Sequence, residues 1–154
     1  EALAISDKVI VMNNAVIAQE GSPKDLYNLP KNKFVANFIG DANVVMAEII
    51  NKKSDIYELK LGEMIVNIES QRDLNGSVSV ALRPEKINIS KEKNSNSILA
   101  KVNNASFVGS NYQYIFNSTL GKLYVVSGDT NNVFKVNEEV CLTIDAEEIK
   151  ILED

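Results

Sequence analysis

Histidine is absent from this chain of 154 residues, and its absence excludes several chemistries at once. There is no Ser–His or Cys–His dyad, no imidazole general base and no His metal ligand. Cysteine occurs once, at Cys141, so no intrachain disulfide forms, and a reducing compartment fits best. A catalytic thiol needs a nearby cation or a helix N-terminus to lower its pKa. The run Val140-Cys141-Leu142-Thr143-Ile144 offers neither, so Cys141 reads as a strand-packing residue. Arginine is scarce, with only Arg72 and Arg83. Sixteen Lys and Arg against 21 Asp and Glu give a net charge of −5. Counter-ion release on a phosphate backbone needs clustered cations, so nucleic acid is not the expected partner, and neither is an anionic membrane surface. No apolar run approaches the ~20 residues of a membrane span, and no basic-then-apolar leader opens the chain. There is no phosphate cradle either: Gly121-Lys122 runs into Leu123, with no glycine before it at P-loop spacing.

What remains is ordinary globular material, 45% hydrophobic and 24% charged. A chain of this length buries roughly 68–70% of its unfolded surface and folds without staples. Its first residues, Glu1-Ala2-Leu3-Ala4-Ile5-Ser6-Asp7, are helix-forming without an N-cap and read as a chain cut in mid-helix.

Two textures divide the sequence. Residues 1–41 predict a hairpin followed by two helices. The apolar runs Lys8–Met12 and Ala15–Gln19 flank Asn13-Asn14, which tolerate positive φ and suit a tight turn. Ser22, Pro23 and Asp25 form a helix start, and Leu29-Pro30 ends that helix. The second helix begins near Asn32, with Phe34, Val35, Phe38 and Ile39 on one face and Gly40 at its close. Residues 42–154 predict a mainly β unit, a small barrel of short antiparallel strands. Segments of period two or β-branched composition recur from Val44 to Leu152, separated by turns such as Gly62-Glu63, Asn75-Gly76 and Thr119-Leu120-Gly121.

Few residues here invite chemistry. The pairs Glu138-Glu139 and Glu147-Glu148 sit in β context, where neighbours point to opposite faces and do not converge on one atom. No catalytic, cofactor-binding or metal-ligating residue is assigned. Tyr112, Tyr114 and Phe116 fall on one strand face, as core packing or as a protein interface; the cations that would make them a stacking platform for single strands are missing. Arg83-Pro84-Glu85, after the apolar strand Val78–Leu82, is either an anion or partner contact or an Arg–Glu pair at a strand corner.

Glu1 through Met12, Ala15 through Tyr27, and Pro30 through Gly40 resemble, in order, the segment after the switch histidine in ATP-binding subunits of ABC importers. Leu82-Arg83-Pro84-Glu85-Lys86-Ile87 and Phe107-Val108-Gly109-Ser110-Asn111-Tyr112-Gln113-Tyr114 resemble motifs of the TOBE domain, the oligonucleotide-fold-like barrel appended to this class. The resemblance implies a fold that is mainly β, with residues 1–41 the end of a nucleotide-binding domain and residues 42–154 a TOBE barrel. It implies a parent of the iron(III), polyamine or sugar type that hydrolyses ATP with Mg to drive solute uptake. The compact tail and the Val108-Gly109-Ser110…Tyr114 pattern lie nearer the iron and polyamine importers. The P-loop, signature sequence and switch histidine of that family have no match here. This stretch is therefore expected to be non-catalytic, to hold no cofactor, and to serve dimerisation or regulation. The implied partners are a second copy and the transmembrane permease subunits, on the cytoplasmic face of the cell membrane. Arg83, Glu85, Lys86, Gly109 and Ser110 are the candidate regulatory or anion contacts, and Tyr112, Tyr114 and Phe116 the candidate dimer interface. The alternative is a free-standing small-anion-binding barrel, with Arg83, Lys86 and the amides around Gly109-Ser110 as donors.

Overall fold

After a short helix α1 (Ala2–Ile5), the first apolar runs form a two-stranded ladder of β1 (Val9–Asn13) and β2 (Val16–Gly21) in the computed structural model, which describes residues 2–153. The turn falls one residue later than the sequence predicts. Asn14 and Ala15, at φ 51° and 63°, are its central residues, because Asn13 pairs with Val16. Helix α2 (Pro23–Asn28) starts as expected: Ser22 Oγ accepts from the Asp25 N–H at 3.2 Å, and Pro23 takes the first helical position. Helix α3 (Lys33–Ile39) is capped by Asn32, whose Oδ1 accepts from the Val35 N–H at 2.9 Å. Its apolar face is split. Val35 buries with Val11 and Leu26, Ala36 packs on Ala81 and Leu152, and Phe38 stacks on Phe34 while remaining 65% exposed. Gly40, with φ 179°, is extended and provides no left-handed cap.

The alternating segments become β3 (Asn43–Lys53), β4 (Ile56–Leu61), β5 (Met64–Glu69), β6 (Ser77–Leu82), β7 (Asn88–Ser90), β8 (Ile98–Phe107), β9 (Tyr112–Ser118), β10 (Gly121–Ser127), β11 (Glu139–Thr143) and β12 (Ile149–Ile151). They make two five-stranded sheets, one ordered β12-β6-β3-β4-β5 and the other β10-β9-β8-β11-β7, with every ladder antiparallel. The chain passes between sheets at two 3-10 helical turns, Pro84–Lys86 leading into β7 and Ala146–Glu148 leading into β12. Lys86 Nζ lies 3.9 Å from Glu148 Oε1 and links the two crossings.

Both sheets face one core, in which Tyr57, Leu59, Leu61, Leu82, Ile98, Tyr114, Phe116, Leu123 and Leu142 are fully buried. Each such side chain contributes about 1.5–3 kcal/mol of transfer free energy. Cys141 is buried on β11, as its strand context predicts. The mainly β, barrel-like class read from the sequence stands, although the strands form two curled sheets around a shared core instead of a single ring.

Candidate functional site

The element that the sequence marks as Arg83-Pro84-Glu85 lies where β6 leaves the first sheet. Pro84 sets the 3-10 turn, and Arg83 just before it is extended, at φ −72° and ψ 134°. That backbone directs the guanidinium inward, and Arg83 is only 4% exposed. Its Nη1 donates to the carbonyls of Ala36 (2.9 Å), Gly40 (3.0 Å) and Asp41 (3.1 Å), and its Nη2 to Tyr27 O (3.0 Å). The Tyr27 ring lies under the guanidinium, 4.3 Å from its centroid. Ala36 belongs to the last turn of α3 and Tyr27 to the last turn of α2, so one cation serves the open carbonyls at two helix ends. Burial pulls the Arg83 pKa down and Asp41 pulls it back up, yet a guanidinium stays charged.

Arg83 thus fastens residues 27–41 to the barrel, and its donors to those carbonyls are not open to an external anion. Glu85 and Lys86 point outward beside it, Lys86 toward Glu148. Gly109 and Ser110 occupy the exposed turn between β8 and β9, where Gly109 has φ +90° and the Asn111 amide donates to Ser110 Oγ at 3.2 Å. Among the described residues, no hydrogen bond or ion pair joins that turn to the Arg83 corner.

The aromatic residues require a correction. Tyr114 and Phe116 share one strand face as predicted, but that face is the concave side of the second sheet, and both rings are fully buried in their own chain. Tyr114 stacks on Tyr112 at 5.7 Å and on Phe116 at 5.5 Å, and meets Phe134 edge-on at 5.7 Å. Its hydroxyl accepts from the Phe134 N–H at 3.3 Å; burial raises its pKa, and that hydrogen bond partly offsets the rise. Only Tyr112, against the exposed Phe107 at 5.1 Å, brings the ladder to the surface.

Two residues that the sequence left unmarked position this region. Buried Asn43 joins the sheets: its Nδ2 donates to Tyr124 O at 2.7 Å and Leu82 O at 3.3 Å, and its Oδ1 accepts the Tyr124 N–H at 2.8 Å. The amide copies a strand neighbour along the edge of β10, and nothing in Ala42-Asn43-Val44 distinguishes it from a linker residue. Gln19 holds the segment after α2, donating to Leu29 O and accepting from the Lys31 N–H, both at 2.9 Å. No group of three or more Cys, Asp or Glu side chains among the described residues is placed to hold a metal, and none of the described helices is long and apolar enough to cross a membrane.

Residues 80–152 match the TOBE domain family. An Fe(3+) ions import ATP-binding protein, FbpC, from Agrobacterium fabrum is 32% identical over 142 residues, covering 92% of this chain and 40% of that protein. A spermidine/putrescine import ATP-binding protein, PotA, from Acetivibrio thermocellus is 36% identical over 152 residues, covering 99% of this chain and 41% of that protein. The chain therefore spans about two fifths of the length of these curated relatives. Among solved structures, the cytoplasmic molybdate-binding protein ModG superposes with a TM-score of 0.56 at 10% identity, over 71% of this chain and 94% of that one, a likeness of fold alone.

Proposed function

Because the chain belongs to the ATP-binding subunits of ABC importers, matching a C-terminal portion that carries the TOBE domain, we propose that it is the accessory region through which such a subunit pairs with its copy and is regulated. In this reading the stretch is non-catalytic. ATP and Mg are handled by the upstream part of the subunit, at the cytoplasmic face of the membrane beside the permease subunits, in an importer of the iron or polyamine type.

The observation that supports the reading best is the Arg83 clamp. A regulatory barrel influences a neighbouring domain only if it is attached stiffly, and the guanidinium ties the ends of α2 and α3 directly to β6. The alternative of a free-standing anion binder draws on the fold likeness to a molybdate-binding protein, but Arg83, its main donor, is engaged by carbonyls. Light scattering and thermal melting test the proposal together. A mass near twice 17.0 kDa and a melting temperature unmoved by millimolar ATP are the expected results. A mass that stays at one chain on concentration removes the pairing role. An ATP-dependent rise in melting temperature removes the non-catalytic one, since only a ligand of the native state stabilises it.

A further inference from the structure

The two outer strands of the first sheet, β5 and β12, border one open cleft of about 510 Å³, with Leu29–Lys31 and Arg72 at its ends. We propose that this slot is a docking site for an extended segment of a partner protein, received as a sixth strand antiparallel to both β5 and β12. The proposal goes beyond the importer reading and does not depend on it.

The backbone supplies the first reason. In an antiparallel ladder, alternate residues turn their N–H and C=O away from the neighbouring strand. On β5, Ile65 is such a residue: its N–H donates to Asn96 Oδ1 at 2.7 Å, and its carbonyl accepts from Asn96 Nδ2 at 2.9 Å. By the same alternation the N–H and C=O of Asn67 and Glu69 point into the slot. On β12, the Leu152 N–H faces β6 and donates to Ser79 O at 2.9 Å, so Ile151 and Glu153 face outward. The Glu153 N–H donates to Lys31 O at 2.7 Å. The Ile149 N–H is taken by Ala146 O, leaving the Ile149 carbonyl and both groups of Ile151 directed at the slot. Each edge therefore already accepts an extended backbone, or an amide imitating one, at one position. Among the described residues, the remaining positions have none.

Strand direction supplies the second. Four successive antiparallel ladders, β12 to β6, β3, β4 and β5, leave the outer strands running the same way. One further strand of opposite direction makes every pair antiparallel. Side chains supply the third. Buried Ile68 and Ile149 form an apolar floor, while Lys31, Glu69 and Lys150 stand at the rim, so the segment that fits alternates apolar and polar residues. The rim carries both signs of charge, which selects an uncharged backbone over a small ion. Strand addition of this kind draws its affinity from main-chain bonds and its selectivity from alternate side chains.

The test uses the whole chain, isotope-labelled, and a short end-blocked peptide alternating valine with threonine. The Asn67, Glu69 and Ile151 amides should shift and become protected from hydrogen exchange. Asn67→Pro removes an outward donor and spares the β4 ladder, since edge strands tolerate such a proline; binding should weaken about tenfold, the equivalent of ~1.4 kcal/mol. A peptide N-methylated along the bonding face should fail to bind wild-type chain, a readout independent of whether the variant folds. Amides unmoved at saturating peptide, or equal shifts with the N-methylated form, overturn the proposal. Concentration-dependent dimerisation that protects the same amides without peptide overturns it in favour of a second copy.

Discussion

Arg83 carries its charge into a site where it meets carbonyl oxygens instead of a bound anion. Replacing it with a side chain of similar length and no donors leaves two helix ends uncapped. Arg83→Met should cost about 2–4 kcal/mol, as when charged hydrogen bonds are lost and their acceptors left unmet. Arg83→Lys should recover less than half of that, because one ammonium cannot span both helix ends as a planar fork does. Urea unfolding of the three proteins decides the matter, and full recovery with lysine would show that charge alone suffices. The sequence drew attention to Arg83, and Pro84 after it correctly implied a corner. Its partners were not legible, because they lie between 42 and 56 residues upstream and are backbone atoms. Asn43 was hidden for the same reason, its partner Tyr124 being 81 residues away.

Between the residue and the fold, the strands were the most legible feature. Period-two alternation is local, and β4 shows it directly, with Tyr57, Leu59 and Leu61 buried on one face and Ile56, Glu58 and Lys60 on the other. Where an alternating face ends up is a tertiary matter. That is why the spacing puts Tyr114 and Phe116 on one face without choosing between core packing and an interface, and the second sheet buries both. Turns are intermediate. Gly62, at φ +59°, closes the β4–β5 hairpin, and a Cβ there would come within 2.6 Å of Thr119 Oγ1, which donates to the Glu63 carboxylate at 2.9 and 3.1 Å. Gly62→Ala should cost about 1–3 kcal/mol from strain and from displacement of that threonine. Gly128→Ala, with open space around it, should change stability by less than ~0.5 kcal/mol. Equal melting points for the two variants would show that the contact between hairpins contributes nothing.

Across the whole molecule, the hairpin and helices of residues 1–41 keep a small core of Val11, Leu26 and Val35, while Ile10, Met12, Val16 and Ile17 stay exposed. A lone two-stranded ladder is marginal. In native-state hydrogen exchange, β1 and β2 should therefore open well before β3 and β8. Equal protection would mean that the Arg83 clamp extends its hold to the hairpin. The strand crossings at the two 3-10 turns bear on how the protein is made. On the ribosome the amino end emerges first, so β6 appears long before β12, the strand it must pair with, and β7 waits likewise for β11. Neither sheet can be completed from a nascent half-chain, and the ladders that close them span most of the barrel's sequence. The barrel therefore reaches its final form only after Ile149–Ile151 have been translated, and a ribosome that stops before Ile149 releases a chain whose first sheet lacks β12 and leaves β6 at its edge.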